Sequence, residues 1–315
     1  MYTIAEIVTI TGGRFLLNEN EAAAIEHLLI DSRKLLFPST TLFFAIAGPR
    51  RQGNAFVKDL YNKGVRNFVV DASFKFAAQE YADANVITVP SVLDALQKVT
   101  AHHRAQFNIP VIGITGSNGK TIVKEWLYQL LHGNYTIVRS PKSYNSQIGV
   151  PLSVWQMNAT HSLGIFEAGI SMPGEMEILQ KIIQPTIGVI TNIGQAHSEG
   201  FESITQKVQE KINLFYNAAA VIYCKDETII DEAILTLQQK GNAFLFSWGQ
   251  NEAATLCITT IQVQAFNTVI KAEFNERKIS ISIPFTNDAA IKNAITCWCV
   301  LLHLTIADEI ISERM

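Results

Sequence analysis

Apolar and polar positions follow one rhythm through most of this chain and a second near its end. From Val111 onward, short apolar runs alternate with segments of helical spacing. Residues 111–115, 135–138, 162–167, 187–191, 220–223 and 244–248 read as buried strands, with candidate helices between them. That alternation predicts a parallel, doubly wound sheet with ligands at the carboxyl ends of its strands. Residues 256–283 read as antiparallel strands, including 269–274 and 278–283, and a helix is expected over 289–304. Before Val111 the pattern is shorter. Residues 2–11 read as a helix closed by Gly12 and Gly13. Strands are expected at 28–33, 41–46, 67–70 and 86–89, and helices at 55–63 and 92–107. Residues 108–110 read as a linker. The fold class is therefore α/β: a small domain over 1–107, then a doubly wound, mostly parallel domain over 108–315.

Composition narrows the class. A chain of 315 residues suits about two domains of ~150 residues each. Apolar residues make up 48%, enough for a sizeable core. Net charge is −3, with no basic excess, which argues against a nucleic-acid partner. Cys224, Cys257, Cys297 and Cys299 have neither zinc-knuckle spacing nor the pattern of a disulfide framework, so a reducing cytoplasm is expected. Residues 1–6 lack the basic start of a signal peptide. The longest apolar stretch, 295–307, contains His303 and is too short to span a bilayer.

The densest chemistry lies in Val111-Ile112-Gly113-Ile114-Thr115-Gly116-Ser117-Asn118-Gly119-Lys120-Thr121. An apolar run enters a glycine-rich turn and then a helical segment, the form of a phosphate loop. The N–H groups of Gly116, Ser117, Asn118 and Gly119, with the helix start, would face an anion. Lys120 would reach the β- and γ-phosphates and the Thr121 hydroxyl would bind Mg²⁺. Strict Walker spacing places glycine at 114, where this chain has Ile114. Other groups are open to two readings each. Glu167, at a strand end, is a Mg²⁺ ligand or a solvated loop acid. His197, in Thr191-Asn192-Ile193-Gly194-Gln195-Ala196-His197, binds a metal or phosphate, or is an ordinary histidine. Lys211, on an amphipathic helix, reads as a solvated charge, and Asn145 as an unremarkable loop residue. Arg33, in Asp31-Ser32-Arg33, clamps an anion or forms a surface salt bridge.

Taken in order, Gly113 to Thr121, Asn145 to Pro151, Glu167-Ala168-Gly169, Thr191-Asn192 with Ala196-His197, and Lys211 resemble the Mur ligase family of ATP-dependent amide-bond enzymes. Ser32-Arg33, followed by Leu42 to Gly48, is similar to the first domain of the member that joins D-Ala-D-Ala to UDP-N-acetylmuramoyl-tripeptide. The resemblance implies that substrate pair and an acyl-phosphate route that forms ADP. It implies catalytic Lys120, Lys211 and His197, and ATP held by Gly116 through Thr121 with Asn293. Ser32, Arg33 and Asn145 would bind the UDP-sugar. Two Mg²⁺ sites would draw on Thr121, Glu167, His197 and Lys211, the last as a carbamate. The chain departs from the family at Ser146, at Ala289-Ala290 and at Gln52-Gly53-Asn54. The family's third, Rossmann-like domain is not among these residues, so a truncated, poorly active portion is expected. Family members fused to an alanine racemase exist, and such a parent is compatible with the sequence. Another Mur-type or folylpolyglutamate synthase-like ligase, or a non-catalytic nucleotide-binding module, remains an alternative.

Overall fold

The computed structural model describes residues 1–48, 52–75, 77–194, 200–239 and 242–315. The chain divides into two compact units, Met1–His103 and Arg104–Met315.

The first unit runs β1 (Tyr2–Thr3), α1 (Ile4–Thr11), β2 (Arg14–Leu17), β3 (Ala24–Ile25), β4 (His27–Leu29), β5 (Thr41–Phe44), α2 (Val57–Asn62), β6 (Asn67–Val70), β7 (Asn85–Thr88) and α3 (Val92–Arg104). A Thr3–Glu6 capping box starts α1, and Gly12 ends it at φ 70°. Five strands form a sheet in the order β2-β7-β6-β5-β4, parallel from β4 to β7. The run 28–33 is strand only to Leu29. The Asp31 carboxylate accepts the Arg33 N–H at 3.1 Å and turns Ser32–Lys34 into a single 3-10 turn. Residues 104–107, expected in the first domain, are drawn the other way. Arg104 donates to the carbonyls of Ile183, Gln184 and Phe107, all in the second unit.

The second unit runs β8 (Val111–Thr115), α4 (Lys120–Leu131), β9 (Ile137–Arg139), α5 (Gly149–Val154), β10 (Leu163–Glu167), α6 (Glu175–Ile183), β11 (Ile187–Ile190), α7 (Ile204–Ile212), β12 (Ala220–Cys224), α8 (Thr228–Gln238), β13 (Phe244–Gly249), β14 (Leu256–Val263), β15 (Thr268–Phe274), β16 (Arg277–Ile283), α9 (Asp288–His303) and α10 (Asp308–Arg314). Its sheet has the order β16-β15-β14-β13-β12-β11-β8-β10-β9. From β9 through β14 the pairings are parallel; β15 and β16 are antiparallel. β8, β10 and β11 are buried along their whole length, as central parallel strands covered on both faces must be. β10 and β11 flank β8, so successive connections leave it in opposite directions. That places a crevice at the carboxyl end of β8. The core on the α4 and α9 side includes Trp298, Cys297 and Cys299. All four cysteines are free thiols. No described helix is long and apolar enough to cross a membrane.

Candidate active site

The turn after β8 depends on two glycines. Gly116 has φ 142° and Gly119 φ 85°. A Cβ at Gly116 would lie 2.1 Å from Thr191 Oγ1, and one at Gly119 2.6 Å from Asn293 Oδ1. Asn192, just past β11, takes two of the turn's donors. Its carbonyl accepts from Ser117 N (2.7 Å) and its Oδ1 from Asn118 N (2.9 Å). The expectation that these two N–H groups face an anion is therefore not met: they hold the turn's shape. The first turn of α4, which starts at Lys120, remains as the anion-facing set.

Three lysines converge here. Lys120 Nζ donates to the carbonyls of Gly116 (2.8 Å) and Ser117 (3.2 Å). Lys211 Nζ donates to the same Gly116 carbonyl at 3.2 Å, and Lys207 Nζ to Gly194 O at 3.2 Å. Lys211 is 4% exposed, which overturns its reading as a solvated charge. Burial, with the like charges of Lys120 and Lys207, brings its pKa down to about 7. Burial also lowers the pKa of Lys120, against the pull of Glu167, and that of Lys207. All three lysines line a cleft of about 520 Å³, together with Gly116, Asn145 and Ser171. Like charges gathered in a cleft favour an anionic ligand.

Glu167 is fully buried, not a solvated loop acid. Its Oε2 accepts from Thr121 Oγ1 at 3.0 Å. Its Oε1 lies 2.9 Å from Lys124 Nζ, yet without the alignment of a hydrogen bond. A hydroxyl beside a buried carboxylate with one oxygen lacking a hydrogen-bond donor is a set of hard oxygen ligands that fits a divalent cation.

The remaining candidates are placed as follows. Asn145 lines the cleft, and its carbonyl accepts from Gly169 N at 2.9 Å. Asn293, on α9, packs against Gly119. Ala289 and Ala290 lie in the first turn of α9, where Asn287 caps the Ala290 N–H at 2.8 Å. His197 lies outside the described residues. Among those described, no group of three or more His, Cys, Asp or Glu is placed to hold a metal. Ser32 and Arg33 belong to the first unit. There the Arg33 fork engages both Asp31 oxygens (2.8 and 2.7 Å) with its side chain 75% exposed, the surface salt bridge of its alternative reading. Arg33 holds the Asp31 carboxyl down at about 2.

Sequence reasoning missed Lys124, Lys207 and Asn192. A signal was present for the two lysines. Lys124 falls four residues after Lys120, and Lys207 four before Lys211, so each shares a helix face with a candidate residue.

Residues 114–301 match the Mur ligase middle domain, and residues 24–104 match the Mur ligase family catalytic domain. The UDP-N-acetylmuramoyl-tripeptide–D-alanyl-D-alanine ligase of Bacillus subtilis (strain 168) is 31% identical over 234 residues, 73% of this chain and 50% of that protein. The chain spans about half the length of the curated relatives it matches. In fold it is similar to MurF from Acinetobacter baumannii, with a TM-score of 0.85 at 23% identity, covering 99% of this chain and 67% of that one. It is also similar to MurF ligase from Thermotoga maritima in complex with ADP, with a TM-score of 0.78 at 21% identity, covering 91% and 65%.

Proposed function

Because this chain belongs to the Mur ligase family, we propose that it carries the acceptor-binding and ATP-binding portions of a ligase of peptidoglycan precursor synthesis, one that joins D-alanyl-D-alanine to UDP-N-acetylmuramoyl-tripeptide. The name of the Bacillus subtilis relative supports the substrate pair. One observation carries the chemistry: Lys120, Lys211 and the Thr121–Glu167 pair meet around a single glycine-rich turn.

In this reading the tripeptide carboxylate attacks the γ-phosphorus of ATP, giving an acyl phosphate and ADP. The amine of the dipeptide then attacks the acyl carbon, and phosphate leaves with the bonding pair. Phosphoryl transfer asks the protein mainly for alignment and charge neutralisation. Gly116, Gly119 and the first turn of α4 from Lys120 and Thr121 would cradle the phosphates, Ser117 and Asn118 keep the turn in shape through Asn192, and Asn293 would stand on the adenine side. Lys120 exchanges its two backbone carbonyls for oxygens of the transferring group. Mg²⁺ held by Thr121 and Glu167 would neutralise charge on the phosphate oxygens. We assign a second Mg²⁺ to His197 and to Lys211 as a carbamate. A pKa of about 7 leaves a large neutral fraction of Lys211 near neutrality, the form that adds CO₂ and releases a proton. Asn145 sits beside the reacting end of the acceptor. Ser32 and Arg33 hold the UDP-sugar, Arg33 giving up part of its contact with Asp31. The proposed setting is the cytoplasm.

Calorimetric titration with UDP-N-acetylmuramoyl-tripeptide tests the reading, with UDP and a folate as controls and Arg33→Ala beside the unmodified protein. Binding that needs the peptide and weakens in the variant is expected. Binding of the folate, or of neither uridine compound, would overturn it.

A further inference from the structure

Lys124 has no part in the chemistry above, yet it is the most deeply placed cation of the site. Its side chain is fully buried on the inner face of α4, one turn after Lys120. Its ammonium donates to the carbonyl of Ser140 at 2.8 Å and to that of Lys142, both in the segment leading to Asn145. It lies 2.9 Å from Glu167 Oε1 and 3.1 Å from Glu125 Oε1. Glu125 is shared with Arg139 at 2.9 Å. Lys124 and Glu167 are both 0% exposed, so each offsets part of the other's lost hydration.

We propose that Lys124 is a built-in counter-cation of the Glu167 metal site, and that it makes divalent-cation binding conditional on the nucleotide. This rests on reading Thr121 and Glu167 as metal ligands. Glu167 supplies one negative charge, already balanced by Lys124. A divalent cation arriving alone meets Lys124 directly, with Lys120 on the same helix and Lys207 and Lys211 across the cleft. Like charges gathered around one carboxylate repel an incoming cation, even where solvent and protein dipoles partly screen them. A polyphosphate reverses the balance, because its oxygens carry several negative charges and occupy the space the lysines line. The cation then enters with the nucleotide rather than before it. Lys124 is a positioning residue: it does not line the cleft, and it acts through Glu167.

Removing Lys124 has an effect that a purely structural lysine would not have. Without its partner, the buried Glu167 carboxylate becomes a strong site for a free cation. The test is Mn²⁺ binding followed by electron paramagnetic resonance, with and without ADP, on the unmodified protein, Lys124→Met and Lys124→Arg. Circular dichroism and melting serve as fold controls. Expected is weak Mn²⁺ binding to the unmodified protein that tightens with ADP. In Lys124→Met, nucleotide-free affinity should rise roughly tenfold or more, with affinity in ADP little changed. Lys124→Arg should behave as the unmodified protein. If Lys124→Met does not fold, Lys124→Gln keeps a donor for the two carbonyls and carries the same comparison. Nucleotide-free Mn²⁺ affinity unchanged by losing the charge would overturn the inference. So would equal Mn²⁺ affinity with and without ADP in the unmodified protein, while leaving the metal-site reading intact. Absence of Mn²⁺ binding even with ADP would overturn both.

Discussion

Lys211 carries the largest electrostatic strain in the cleft. Its ammonium is buried, shares the Gly116 carbonyl with Lys120 and faces the charge of Lys207. In the unfolded chain this lysine titrates near 10.5; in the fold it titrates near 7. Between those values the unfolded chain binds more protons, so stability rises with pH across that window. The destabilisation is complete below about pH 7 and is relieved as pH approaches 10.5. Each pKa unit is worth about 1.4 kcal/mol. Lys211→Met should therefore stabilise the second unit near pH 7 by an amount on the order of a few kcal/mol, offset in part by the lost bond to Gly116. Urea melts of both proteins across this pH window check it. The gap should narrow as pH rises, and a pH-independent difference would show that Lys211 is charged normally in the fold. Measured in CO₂-free buffer, the comparison reports the amine apart from the proposed carbamate. The same strain would suit the role proposed for Lys211, because the lowered pKa favours the neutral amine that a carbamate forms from.

At the scale of elements, the strand-turn-helix from β8 to α4 is where local sequence and tertiary contact agree most closely. The apolar run of Val111–Thr115 could be read because a strand covered on both faces has no polar position to spare. Gly119 could be read as a turn residue. Its packing could not, because Asn293 reaches it from α9, far along the chain. Gly119→Ala meets two obstacles: a left-handed φ of 85° and a contact of 2.6 Å with Asn293 Oδ1. The backbone part costs roughly 1–2 kcal/mol. Asn293→Ala in the same chain should remove the clash but not the backbone cost. The double variant should thus melt above Gly119→Ala and below Asn293→Ala, while nucleotide binding falls in every variant. A double variant no more stable than Gly119→Ala would mean that Asn293 moves aside freely. The unread parts of the site have the same origin. Lys124 and Lys207 were not singled out in the sequence. Partners distant in sequence hold them inward: Glu167 at the end of β10 and the Ser140 and Lys142 carbonyls for Lys124, and the Gly194 carbonyl after β11 for Lys207. At 28–33 the apolar pattern favoured a longer strand, but a side-chain cap from Asp31 prevailed over it. Periodicity reports which face of an element is buried. It does not report which polar partner waits on the buried face.

For the whole molecule, the proposed function places different ligands on the two units. The phosphate loop, Glu167 and the lysine-lined cleft lie in Arg104–Met315, whereas Ser32 and Arg33 lie in Met1–His103. A ligand stabilises the part that binds it by RT ln(1 + [L]/Kd), about 2.7 kcal/mol at a hundredfold excess over Kd. For a unit of this size, 1 kcal/mol moves the melting point by roughly 2–4 °C. ADP with Mg²⁺ at such an excess should therefore raise the melting of the second unit by roughly 5–10 °C. Fluorescence can attribute the shift, because Trp126, Trp155, Trp248 and Trp298 all belong to the second unit. Tryptophan fluorescence followed through the same melt reports that unit alone. With ADP the fluorescence transition should move by the full amount, and in Lys120→Ala it should hardly move. A shift that persists in Lys120→Ala would place the nucleotide somewhere other than the turn after β8. An equal shift from UDP alone would show that the uridine ligand, too, is held by the second unit, contrary to the role proposed for Ser32 and Arg33.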